Sequence, residues 1–72
     1  MNNIFTEYLE RNGWEEVSPC SYKNQNFGSE IFFDTSNQIE IYASDQRRVG
    51  SYYLKDVEDL IEIVKNIDQF GR

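Results

Sequence analysis

Cys20 is the one cysteine in this chain of 72 residues, and the chain has no histidine. A polypeptide this short buries only about 60% of the surface that its unfolded form exposes. Small folds usually add disulfides, a structural metal or self-association to compensate. One thiol cannot form an internal disulfide. A zinc site built from cysteine and histidine also lacks ligands within a single chain. What is left is a dense apolar core, helped where necessary by self-association. Five phenylalanines, five tyrosines and Trp14 supply that core, each ring able to bury roughly 150–250 Å². Residues 1–72 are therefore expected to form a single folded domain rather than a disordered acidic tail.

Thirteen acidic residues against seven basic ones give a net charge of −6. That sign opposes direct binding to nucleic-acid phosphates, which need neutralising cations, and to anionic membrane surfaces. Arg47 and Arg48 are adjacent but sit close to Asp45, which reads as a solvated turn. No stretch approaches the roughly 18 apolar residues of a membrane span. The opening MNNIFTEYLERNG lacks the basic start and apolar run of a signal peptide. With one free cysteine, these features lead us to expect a cytoplasmic location.

Ile4, Phe5, Tyr8 and Leu9 form one apolar stripe, predicting a helix over Asn3–Asn12 with Asn2 or Asn3 as cap and Gly13 just past its end. Glu7 and Arg11 stand at the i,i+4 spacing of a favourable pair. Trp14–Lys23 reads as an edge strand, or as one broken at Pro19. Asn24–Gly28 is a turn by composition. Glu30–Asp34 and Gln38–Ala43 alternate as strands, with Thr35-Ser36-Asn37 as the hairpin loop. A turn over Asp45–Arg48 precedes a segment, Val49–Leu54, that can add a further strand. Val57, Leu60, Ile61, Val64 and Ile67 then follow the spacing of a core-facing helix, capped by Asp56 with Asp59 three residues later and ended by Gly71. The expected architecture is α+β: a small two-layer domain of helix, antiparallel meander of three or four strands, and helix.

The same residues argue against catalysis. Without histidine no side chain has an ordinary pKa near neutrality, and Cys20 or a serine would lack an imidazole partner. Cys20 is expected to be a semi-buried structural thiol. Gly13, Gly28, Gly50 and Gly71 are scattered singly, so no phosphate loop exists. Asp56, Glu58, Asp59 and Glu62 do not match a calcium-binding loop, and we expect no metal and no cofactor.

Two features carry the functional expectation. The acids of the second helix start complement its dipole, which is sufficient structural reason for Asp56, Glu58 and Asp59. Glu62 is different, because it repeats the charge of Glu58 one turn on, which mildly opposes helix formation. If several of Glu15, Glu16, Glu30, Asp34 and Glu40, on or near the strands, share a surface with this helix, the extended negative field would attract a basic partner. Phe32, Tyr42 and one of Tyr52 or Tyr53 are expected on the sheet face away from the helices, where they stabilise the sheet as cross-strand pairs or anchor a partner.

The order of elements resembles the double-stranded RNA-binding domains. That family opens its second helix with a lysine cluster for phosphates. Here the matching segment is Asp56-Val57-Glu58-Asp59, so the family's mode of RNA binding does not carry over. In size, acidity and aromatic richness the chain also resembles small acidic accessory proteins of phages and mobile elements, of the anti-CRISPR or anti-defence inhibitor type.

The expected function is thus a non-enzymatic, acidic protein-binding module. It would inhibit by docking on a basic surface of a bacterial protein, such as a nucleic-acid-processing or defence protein. The partner-binding residues would be Phe32, Glu40, Tyr42, Glu58, Asp59 and Glu62. The alternatives are a small homodimer that serves in structure or assembly, and a binder of a small ligand or nucleotide signal.

Overall fold

The computed structural model describes residues 4–26 and 28–70, the side chains of 67–70 excepted. Helix α1 (Ile4–Arg11) is followed by strands β1 (Trp14–Ser18), β2 (Ser21–Asn24), β3 (Glu30–Phe33), β4 (Gln38–Tyr42) and β5 (Arg48–Tyr53), and by helix α2 (Val57–Phe70). The strands form one antiparallel meander in chain order, with β1 and β5 as its edges. The class is α+β as expected. The sheet has five strands rather than three or four, and so departs from the three-strand order of the RNA-binding family.

The additional strand comes from Trp14–Lys23, which is a hairpin and not one element. Pro19 has no amide hydrogen for a ladder, and Cys20 turns the chain with φ 68. Ser18 thereby pairs with Ser21, and Trp14 with Asn24. Cys20 is exposed at this turn, not semi-buried. Its carbonyl accepts the Phe33 amide at 2.8 Å, tying the turn to the next hairpin.

Period-two alternation sorts the sheet into two faces. Trp14, Tyr22, Ile31, Phe33, Ile39 and Ile41 point towards the helices, where Phe5, Leu9 and Leu60 meet them, with Leu54 completing the core. The Tyr22 and Phe33 rings pack edge to face with centroids 6.0 Å apart. Leu9, Ile31, Ile39, Leu54 and Leu60 are fully buried, each worth roughly 1.5–3 kcal/mol of hydrophobic free energy.

Within α1 the buried set is Phe5, Thr6 and Leu9, while Ile4 is 55% exposed. Thr6 takes the place expected of Ile4 because its hydroxyl is hydrogen-bonded to that of the buried Tyr22. Asn12 closes the helix, donating from Nδ2 to the Tyr8 carbonyl over 2.7 Å and from its amide to that of Leu9 over 3.1 Å. Gly13 follows with φ +89, the left-handed conformation that glycine adopts most readily. Among the described residues, the ion pair within 4.0 Å is Arg48–Glu40 and not Glu7–Arg11.

At the start of α2, Asp56 Oδ1 accepts the Asp59 amide at 3.2 Å, and Asp59 Oδ2 accepts the Lys55 amide at 2.9 Å. This is a reciprocal cap displaced by one residue from the common box. Leu60 is the buried anchor, with Ile63 and Val64 packed beside it. Asn2, Asn3, Phe27 and Gly71, and the side chains of Ile67 and Phe70, lie outside the described residues. Among the described residues no helix is long and apolar enough to cross a membrane.

Candidate functional site

Because both helices pack on one face of the sheet, the other face is left open. Its composition follows from register. Glu30 stands opposite Tyr42, and Phe32 opposite Glu40, so two carboxylates and two aromatic rings occupy alternate corners of a β3–β4 block. Ser21 pairs with Phe32 from β2. These residues, with Gln46 from the β4–β5 turn, line an open depression of about 390 Å³. Phe32 is 36% exposed at its centre.

The polar groups around this block meet at Glu40. Tyr42 donates to Glu40 Oε1 at 2.7 Å, while Arg48 approaches Glu40 Oε2 at 4.0 Å. The tyrosine hydrogen bond holds the Glu40 carboxyl below its ordinary value, and the guanidinium acts in the same sense against partial desolvation. Tyr42 is pushed up, first by that hydrogen bond and then by desolvation. Asp34, beside Glu40, is raised by desolvation and by its neighbour's charge. Lys23 stands across β2–β3 from Glu30. The open face therefore mixes charges of both signs.

The structure brings Phe32, Glu40 and Tyr42 together, and does not bring Glu58, Asp59 and Glu62 to them. Those three lie on α2, which packs against the opposite face through Leu60. Asp59 is half-buried and used by the helix cap, whereas Glu58 and Glu62 are exposed. The expected single patch is thus two separate features. Of the tyrosine pair, Tyr53 lies on the open face opposite Gln38, its hydroxyl accepting from Asn37 Nδ2 at 2.9 Å, and Tyr52 lies on the helix side opposite Ile39. Alternation along β3 puts Glu30 on the face of Phe32, and register sets it opposite Tyr42; Ser21 joins the site through its pairing with Phe32, and Gln46 through the β4–β5 turn.

A second depression of about 380 Å³ borders β1, lined by Glu10, Gly13, Trp14, Glu15, Glu16 and Gln25. Among the described residues no group of three or more acidic or thiol side chains is arranged to hold a metal ion. Chemically, the open face offers acceptor oxygens beside aromatic faces, an arrangement suited to cationic and flat polar groups.

No protein family, no curated protein and no solved structure matches this chain.

Proposed function

We propose that the chain is a non-enzymatic protein-binding module, an acidic inhibitor that docks its open sheet face on a basic surface of a bacterial protein. The observation that carries this reading is the outward pair Phe32 and Tyr42, held on adjacent central strands around a depression lined by Glu30 and Glu40. Aromatic anchors in a polar surround have the composition of interface hot spots. Their strands are fixed from behind by Ile31, Phe33, Ile39 and Ile41, so little conformational freedom is lost on docking. Glu58 and Glu62, on the helix layer, act through their field on the approach of a basic partner rather than through contact.

A tagged pull-down from bacterial lysate at about 50 and 300 mM salt, analysed by mass spectrometry, tests the reading. A nucleic-acid-processing or defence protein should be held at low salt, released at high salt, and lost with Phe32→Ala/Tyr42→Ala. Retention of the same proteins by that double variant would reject the open face as the docking surface.

One observation favours the homodimer reading. β5 is an edge strand with Tyr52 and Tyr53 exposed and no charge after Arg48, and such an edge can pair with a second copy. Its register shift near Tyr42 shortens the regular part of that edge. Sedimentation equilibrium separates the two readings: a dimer disrupted by Ser51→Pro supports self-assembly.

A further inference from the structure

The β3–β4 block has a charge pattern that its own residues leave incompletely answered. Glu30 and Glu40 occupy one diagonal and Phe32 and Tyr42 the other, and cross-strand diagonals span roughly 7–8 Å. Both carboxylates line the same depression, and no cationic side chain lines it with them. Arg48 reaches Glu40 only at 4.0 Å, with its own side chain 58% exposed and that of Glu40 only 22% exposed. Lys23, opposite Glu30 in register, makes no ion pair with it within 4.0 Å among the described residues. Glu40 thus has a loosely seated guanidinium, and Glu30 has no cation within 4.0 Å among the described residues.

The two natural cations differ in how they would fill this space. A lysine ammonium is a compact, strongly hydrated point charge, which suits one carboxylate at a time. A guanidinium is planar and more weakly hydrated, carries five donors, and stacks on aromatic faces while donating sideways. Carboxylates on one diagonal with rings on the other match the second set of properties.

Resting on the protein-binding reading above, we propose that this block seats one arginine side chain of the partner protein. The guanidinium lies against Phe32 and Tyr42, donates to Glu30 and Glu40, and replaces Arg48 beside Glu40. The partner surface is thereby specified more closely than as basic: it presents an arginine that can enter an open depression of about 390 Å³.

The test is an NMR titration of the full chain with two capped pentapeptides, Gly-Gly-Arg-Gly-Gly and Gly-Gly-Lys-Gly-Gly, at about 50 mM salt to limit screening. The expected result is amide shift changes centred on β3 and β4, with a change at Arg48 of β5 as its guanidinium leaves Glu40. The arginine peptide should bind about threefold more tightly than its lysine twin, the size of an exposed cation–π contact. Glu30→Gln, Glu40→Gln and Phe32→Leu should each weaken it by a similar factor. Their own spectra show directly whether each variant retains the fold. Equal binding of the two peptides, no binding of either, or shifts centred on Glu10, Glu15 and Glu16 would overturn the proposal. A partner captured through Phe32 and Tyr42 whose binding ignores the arginine peptide would sink the arginine seat alone. An arginine peptide that seats as described, with no partner captured, would instead remove the inhibitor reading.

Discussion

Tyr42 gives its phenolic hydrogen to Glu40 Oε1 over 2.7 Å, two residues away on the same face of β4. This bond is the leading cause of the lowered Glu40 carboxyl pKa, while Asp34 nearby is raised, by desolvation first and by the Glu40 charge second. The two groups therefore contribute to stability with opposite pH dependence. Glu40, lowered in the fold, contributes stability above its unfolded value, which is lost as pH falls through the folded one. Asp34, raised in the fold, contributes below its unfolded value, and that contribution is lost as pH rises through the folded one. Tyr42→Phe should return the Glu40 carboxyl upwards towards its ordinary value. Carbon-detected carboxyl titration would show it, and an unmoved Glu40 would refute the assignment of cause.

The start of α2 rests on two aspartates. Asp56→Ala removes the acceptor for the Asp59 amide and should cost about 0.5–2 kcal/mol in urea unfolding, the usual range for an N-cap. Asp59→Ala should also destabilise, because the Lys55 amide loses its acceptor. Glu58→Gln, at an exposed position of the same turn, should stay within about 0.5 kcal/mol. Equal losses at Asp59 and Glu58 would mean that general helix charge, and not the cap, is responsible.

Gly13 separates conformational strain from crowding. Its φ is +89, and a Cβ placed there would meet nothing within 4 Å. Gly13→Ala should therefore cost about 1–2 kcal/mol through backbone conformation alone. Gly13→Asn should recover part of the loss, since asparagine enters that region more readily. Identical urea midpoints for the two variants would exclude this account.

Tyr22 links the core to alkaline pH. It is 3% exposed, and its pKa is raised first by burial and then by the charges of Glu16 and Glu10, against the Thr6 hydrogen bond. The fold thus favours the neutral phenol, and that stability is present below the ordinary tyrosine value near 10 and lost as pH rises through the raised one. Tyr22→Phe should reduce stability at neutral pH by about 0.5–1.5 kcal/mol, through the lost hydrogen bond. The same change should move alkaline unfolding to higher pH. Circular dichroism across pH 8–12, a range bracketing the ordinary tyrosine titration, would reveal the shift.

Much of this fold is legible where burial is one-sided. Leu60 and Val64 could be placed from helical spacing, and Ile39, Ile41, Phe32 and Tyr42 from period-two alternation, because one face of each element meets the core and the other meets solvent. The β1–β2 hairpin was not legible in this way. Its turn uses Cys20 at φ 68, where glycine, asparagine or aspartate is the ordinary signal. Ile4 misleads for a different reason: hydropathy places it inside, yet the core accepts Thr6 to pair the Tyr22 hydroxyl. Similarly, the separation of Glu58 and Glu62 from Phe32 depends on which sheet face the helices cover, a tertiary choice that no local pattern contains. Alternation puts Glu30 on the face of Phe32, but only register puts it opposite Tyr42.

That separation makes a kinetic prediction. If Phe32 and Tyr42 anchor the partner, Glu58 and Glu62 lie on the far layer and touch nothing in the complex. Their contribution is then to the encounter, where the field of the whole molecule acts and salt screens it over roughly 8–10 Å. Glu58→Gln/Glu62→Gln should lower the association rate about twofold at low salt, a small part of the range that steering spans. The salt dependence should flatten and the dissociation rate should hold. Asp59 is excluded from this variant because its carboxylate holds the helix start. Phe32→Ala should do the reverse, raising the dissociation rate and leaving the salt slope intact, as loss of a contact does. Surface plasmon resonance at about 50 and 300 mM salt with the captured partner separates the two effects. A faster dissociation for the glutamate double variant would place α2 inside the interface and displace the open sheet face as the docking surface.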